Sequence, residues 1–262
     1  MLGKLLKHEF KATARFFLPL FIAALIMTPV TRLITSIHIF DGYLAIIPGL
    51  FTGIYILILL AIAVVSYVII IIRFYRNMVT DEGYLMHTLP VKASQHIWSK
   101  TLIACFWTIV SFAVIFLSLF AFFATPDRIS TLSTEFSKFI TMVQNELGAG
   151  VYTTFVIEII ILTIVGLFSN AFYVYASIAI GQVISRHRII GAFAAAIVLN
   201  IINQILSTVL LVPIMLTTGI NAASPKIMAN AYIPASIVFT IIITIAYYCI
   251  TNYVMTKKLN LE

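Results

Sequence analysis

Between residues 80 and 100 the chain reads TDEGYLMHTLPVKASQHIWSK. Two carboxylates, Asp81 and Glu82, stand close in sequence to two imidazoles, His87 and His96. Carboxylates and imidazoles pass protons near neutral pH and ligate zinc, so acid–base work or a metal site is the chemistry to weigh first. The spacing matches no compact ligand motif, and the chain contains no HExxH pair, no GxSxG elbow and no GxxxxGK[ST] phosphate loop. His8, His38 and His187 are scattered at the edges of apolar segments. The residues expected to act catalytically or to hold a metal are therefore none, and the polar stretch must be explained by what surrounds it.

What surrounds it is hydrocarbon. Of the 262 residues, 62% are hydrophobic and 10% are charged, against roughly 25% charged in a soluble domain. Several uncharged runs reach the length of about 18 residues that a membrane-crossing helix needs. They do not alternate, which excludes the strand pattern of a membrane barrel. The fold class is therefore all-α, a polytopic membrane protein. Charges and turn residues place six spans at about 16–37, 43–72, 97–125, 151–183, 189–216 and 232–255. The two cysteines, Cys105 and Cys249, fall inside spans and read as small packing residues, with no disulfide framework.

Outside the spans, residues 1–15 form an amphipathic interfacial helix, with Leu2, Leu5, Leu6 and Phe10 on a stripe among Lys4, Lys7, Lys11 and Arg15. It lacks a small-residue cleavage site after its apolar stretch and is expected to be retained. Residues 126–150 carry Ile129, Leu132, Phe136, Phe139, Val143 and Leu147 at helical spacing before Gly148, which predicts an external amphipathic helix. Pro48 and Pro213 are expected to bend or interrupt their spans. Gly49/Gly53 and Ser177/Gly181 have the small-xxx-small spacing that lets helices approach closely.

The formal charge of +7 belongs to topology rather than to nucleic acid, since no basic stripe with interleaved aromatics exists. All but Arg32, Arg128, Lys138 and Lys226 of the 16 Lys and Arg residues fall on one side of the six spans. By the positive-inside rule that side, with both termini and residues 80–100, faces the cytoplasm.

Thr80 and Asp81 are good helix N-caps, and Asp81 and Glu82 sit where a helix dipole favours negative charge. Tyr84, Leu85, His87, Thr88 and Leu89 fill about two turns, and Pro90 ends them. Ser94 caps the next helix, Trp98 anchors it at the interface and Lys100 snorkels. The product is a rigid cytoplasmic knob between the second and third spans.

Within the spans, Glu158 lies roughly 10 Å below the outer boundary at about 1.5 Å per residue. A carboxylate there needs a partner, water or a proton. Asn170, Gln182, Asn200, Asn203 and Gln204 are also intramembrane, the last three on one helical face. They either bond neighbouring helices or line a path for substrate.

The order of these parts resembles the membrane permease subunits of ABC exporters, of the bacterial branch that moves peptides, antibiotics and toxins out of Firmicutes-type cells. The resemblance covers the layout of the whole chain, from the basic opening MLGKLLKHEFKATAR through six spans. It is most specific in Asp81-Glu82, Leu89-Pro90 and Ser99-Lys100. It implies that residues 80–90 are a coupling helix docking into a separate ATPase subunit through Asp81, Glu82, Tyr84, Leu85, His87, Leu89 and Pro90.

It implies further that two permease subunits, identical or different, work with two ATPase subunits in a bacterial plasma membrane. ATP and magnesium would be held on the partner ATPase, this chain binding no cofactor and performing no bond chemistry. The expected substrate is amphipathic, an antimicrobial peptide, a peptide toxin or a lipophilic drug, and Glu158, Asn170, Gln182, Asn200, Asn203 and Gln204 are the candidates to line its path. A secondary transporter is the competing class, although no internal repeat supports it. A membrane sensor or scaffold subunit of an ABC-like signalling complex is the other.

Overall fold

A computed structural model describes residues 2–37, 44, 46–79, 93–183, 188–217, 226 and 228–257. Among the described residues there are seven α-helices: α1 (Leu2–Ser36), α2 (Ile46–Val79), α3 (Ala93–Phe123), α4 (Pro126–Leu147), α5 (Ala149–Gly181), α6 (Arg188–Thr217) and α7 (Ile233–Lys257). A π-helical turn, Met228–Tyr232, leads into α7. No strand occurs among the described residues. Six stretches are long and apolar enough to cross a membrane: α1, Ile46–Met78 of α2, α3, α5, Arg188–Pro213 of α6, and Ala229–Lys257. Their surfaces are greasy, with Phe112 72%, Phe193 71% and Leu57 65% exposed. A surface so continuously apolar is stable against lipid and not against water. The chain is an all-α, multi-pass membrane protein.

Helix α2 runs on to Val79, past the apolar segment ending near residue 72 that predicted it, and α3 starts at Ala93, ahead of the expected 97, because the backbone ladder need not stop where hydropathy does. The expected break between residues 1–15 and 16–37 is absent. One buried stripe, Glu9, Thr13, Phe17, Phe21, Ala24, Thr28 and Thr31, runs through all of α1 at three- and four-residue steps. Pro19 and Pro29 lie on the exposed side of that helix and do not end it. Pro48 does not interrupt α2 either; it sits in the first turn, where the backbone N–H has no intrahelical acceptor. Likewise α6 continues past Pro213 to Thr217. Ser94 is one residue inside α3 rather than its cap.

The chain divides into two compact units, one made of Met1–Arg73 with Trp98–Leu132 and one of Phe74–Ile97 with Ser133–Glu262. In the first, α1, α2 and α3 share a core of Phe17, Phe21, Ala24, Tyr55, Leu59, Ile62 and Trp107. The Trp107 ring stacks on Phe17 at 4.5 Å and on Phe10 at 5.2 Å. Its Nε1 donates to Thr13 Oγ1 at 2.7 Å, so its polar edge is satisfied inside the bundle. Arg32 reaches the carbonyl oxygens of Ala121 and Ala124, which the end of α3 leaves without intrahelical donors.

Deeper in this unit, the Ser118 hydroxyl pairs with Thr28 Oγ1 at 2.6 Å and Tyr55 OH at 2.9 Å, and Ser66 pairs with Ser111 at 2.8 Å. Such bonds replace the hydrophobic effect as a source of specificity where lipid is the solvent. Ser118→Ala is expected to cost only about 0.6 kcal/mol, the usual worth of an interhelical bond in a membrane. A measured loss above about 2 kcal/mol in detergent unfolding would mean that the hydroxyl trio acts as a cooperative network.

In the second unit α5 is central and packs on α6 and α7. Its C-terminal half is buried almost all round, from Ala171 and Phe172 to Gly181. Phe74 stacks on Tyr175 at 3.8 Å, and Phe172 meets Tyr248 edge-on at 5.5 Å. Of the expected close approaches, Ser177/Gly181 is used: a Cβ on Gly181 would lie 2.4 Å from the Ala192 backbone nitrogen. At Gly49/Gly53 a Cβ at either would meet nothing within 4 Å among the described residues, so no close approach is made there by them. Cys105 is buried, whereas Cys249, expected to pack, is exposed.

Helix α4 starts on Thr125, whose Oγ1 accepts from Arg128 N at 3.4 Å, and stops at Gly148, the one described residue at positive φ, 81°. Glycine takes that conformation without the steric penalty of a side chain. Along α4 the apolar side chains Ile129, Leu132, Phe136, Phe139 and Met142 are exposed.

Candidate functional site

The polar residues within α5, α6 and α7 converge on a cavity of about 300 Å³ in the second unit. Helix α5 gives it Gly166, Ser169, Asn170 and Tyr173, which a helix places on one face. Asn200 and Asn203 come from α6, and Thr240 and Tyr247 from α7. The Tyr173 hydroxyl donates to the Ala196 carbonyl at 2.7 Å. Thr240 donates to Ser236 O at 2.7 Å, which leaves its oxygen able to accept. Asn203 Oδ1 is buried and has no hydrogen-bond partner among the described residues. The Tyr173 and Tyr247 rings lie 5.7 Å apart and supply apolar wall. Among the described residues no carboxylate, ammonium or guanidinium lines this space.

Of the residues expected along a substrate path, Asn170, Asn200 and Asn203 meet here; Glu158, Gln182 and Gln204 do not. Glu158 is half-buried nearer the start of α5, and its Oε2 has no hydrogen-bond partner among the described residues. Gln182 follows the last residue of α5 and is buried. Gln204 is exposed, so its face of α6 is not wholly turned inward.

A second polar centre, in the first unit, was not expected. The Glu9 carboxylate is held on both oxygens: Lys100 Nζ donates to Oε1 at 2.6 Å, and Arg73 donates to Oε2 from Nη2 at 2.9 Å and from Nε at 3.2 Å. Lys100 was expected to snorkel into water. Instead its side chain is 4% exposed, because a carboxylate inside the bundle offers what water would have offered. One carboxylate thus ties the start of α1 to the last turns of α2 and the first turns of α3. A signal for it existed in the sequence: Glu9 falls within the apolar stripe of Leu2, Leu5 and Leu6, where a lone carboxylate needs a partner. Phe10, assigned to that stripe, is 42% exposed and forms its edge.

The residues expected to dock an ATPase, Asp81, Glu82, Tyr84, Leu85, His87, Leu89 and Pro90, lie outside the described residues. His96, considered with Asp81, Glu82 and His87 for a metal, is described and is buried in the first turn of α3. Among the described residues no group of three or more His, Cys, Asp or Glu side chains is placed to hold a metal ion. No family model matches the chain, and neither a curated protein nor a solved structure does.

Proposed function

We propose that this chain is the transmembrane subunit of an ATP-driven exporter of the ABC type, with both termini and residues 80–92 in the cytoplasm of a bacterial cell. The observation that carries the reading is the Asp81–Lys100 stretch, with its acidic start, Leu89-Pro90 and Ser99-Lys100. The Glu9 centre adds a mechanical reason for it. The chain leaves Glu9 at Arg73 and returns to it at Lys100, so the intervening segment is anchored at both ends on one carboxylate. A push on that segment would be passed to α1, α2 and α3 together. ATP would be bound and hydrolysed by the partner subunit, two copies of which would act on two permease subunits. The cargo would be an amphipathic peptide or lipophilic drug, taken through polar space of the kind that Asn170, Asn200 and Asn203 supply.

The test is to purify the tagged chain from its native membrane and identify what comes with it. A stoichiometric ATPase is expected. Glu82→Lys should weaken that association about a hundredfold, since it reverses the charge of a residue at the proposed docking surface, while the permease remains folded in the membrane. Unaltered association and ATPase stimulation in this variant would overturn the docking role. The polar cavity would equally serve a secondary transporter, and transport that persists with ATP depleted and the ion gradient intact would favour that class.

A further inference from the structure

We infer that the cavity between α5, α6 and α7 is a binding site for the uncharged, hydrogen-bond-donating head of an amphiphile, entered from the bilayer. Three features fix the chemistry. The buried Asn203 Oδ1 and the Thr240 oxygen are acceptors that call for N–H or O–H donors. The Tyr173 and Tyr247 rings provide a flat apolar wall beside them. Among the described residues no charged side chain lines the cavity, and the carboxylate of Glu158 is eight residues from Gly166 on α5, about 12 Å along the helix. A charged head would therefore enter without a counter-ion, at a cost that a neutral hydroxyl or amide avoids.

Size and access agree. The volume of about 300 Å³ is at the lower end of small-molecule sites, room for a head group and not for a folded peptide. Asn170 and Asn200 are exposed at its mouth. Their neighbours on α6, Ile197 and Ile201, are 61% and 51% exposed, as lipid-facing residues are. An amphiphile can keep its tail against such residues while its head turns inward.

The inference rests on the exporter reading only in supposing that the bound amphiphile is also cargo, so its test uses neither ATP nor an ATPase. The full chain is reconstituted in phosphatidylcholine–phosphatidylglycerol vesicles and photolabelled with a diazirine-bearing monoacylglycerol. The fatty acid and the alkyltrimethylammonium with the same diazirine chain are the charged comparators. The monoacylglycerol is expected to label peptides holding residues 166–173 or 200–203 at least tenfold above both comparators. Asn203→Leu should weaken its binding about tenfold, the usual worth of a buried hydrogen bond with its desolvation. Gly166→Leu should abolish it by filling the space, with its helical circular dichroism confirming that it is folded, whereas Gly166→Ala, whose Cβ would meet nothing within 4 Å among the described residues, should still be labelled.

Equal labelling by all three probes, or unchanged labelling of Gly166→Leu, overturns the proposal. So does an Asn200→Cys variant that crosslinks two copies across this face and thereby blocks the label, for the face would then be a subunit interface. A labelled chain that captures no ATPase keeps the site and loses the exporter; an unlabelled chain with a bound ATPase does the reverse.

Discussion

Replacing Glu9 by alanine should destabilise the first unit by about 3–5 kcal/mol, the cost of breaking a buried ion pair from one side. The loss falls mainly on Lys100, whose side chain is 4% exposed, because Arg73 at 22% can turn part of its charge to water. Detergent-purified protein should lose about 10 °C of thermal stability. Glu9→Gln keeps the volume and one acceptor oxygen and should lose less. The double variant Glu9→Gln/Lys100→Met should recover most of the deficit, since it removes the buried cation along with its partner, and the cycle of single and double variants isolates the pair. Wild-type stability in Glu9→Ala would mean that the carboxylate does not hold these helices. On the proposed exporter reading, a force-carrying centre predicts that Glu9→Gln uncouples ATP hydrolysis from transport more than it lowers stability. Lys100→Met alone, which leaves Arg73 on the carboxylate, separates the two effects.

Hydropathy made the number and position of the spans legible, because each is a local property of about 20 residues. Continuity was not legible at α1. Charge density fell at Arg15, and that drop looked like a boundary, whereas the buried stripe from Glu9 to Thr31 crosses it without a change of phase. Glu9 itself shows the limit most plainly. Its position within an apolar stripe called for a partner, but Arg73 and Lys100 come from helices far along the chain, and a single sequence does not say which cations face it. The same holds for the cavity. Asn200, Asn203 and Gln204 share a face by spacing, yet only the angle at which α6 packs on α5 decides that Asn203 turns in and Gln204 out. The acidic stretch 80–90 was read from caps and a proline stop, which are local signals, and its reading stands on the sequence alone.

The glycines separate motif from use, and they yield the other large effect. Gly181→Val should destabilise the second unit by about 3 kcal/mol or more, above the usual range for one or two surplus methylenes in a packed core. An added Cβ at Gly181 would lie 2.4 Å from Ala192 N, 2.6 Å from Ala192 Cα and 2.8 Å from Ala192 Cβ. Two of those three atoms are backbone, so α6 as a whole must move to make room. Gly181→Ala should already cost about 1–3 kcal/mol, and Ala192→Gly should not rescue it, since deleting the Ala192 methyl leaves the backbone nitrogen in place. Rescue by Ala192→Gly would show that side-chain contact, and not backbone approach, sets the distance. Gly53→Ala is the matched control: the spacing motif is the same, nothing lies within 4 Å, and stability should stay level or rise by up to about 1 kcal/mol through helix propensity. The displacement of α6 also reaches the cavity. Asn200 is eight residues beyond Ala192 on the same helix, about 12 Å away, so a tilt forced at Gly181 moves the Asn200 and Asn203 amides against Tyr173. Gly181→Ala is therefore expected to weaken binding of the monoacylglycerol probe as well as stability, whereas Gly53→Ala should change neither.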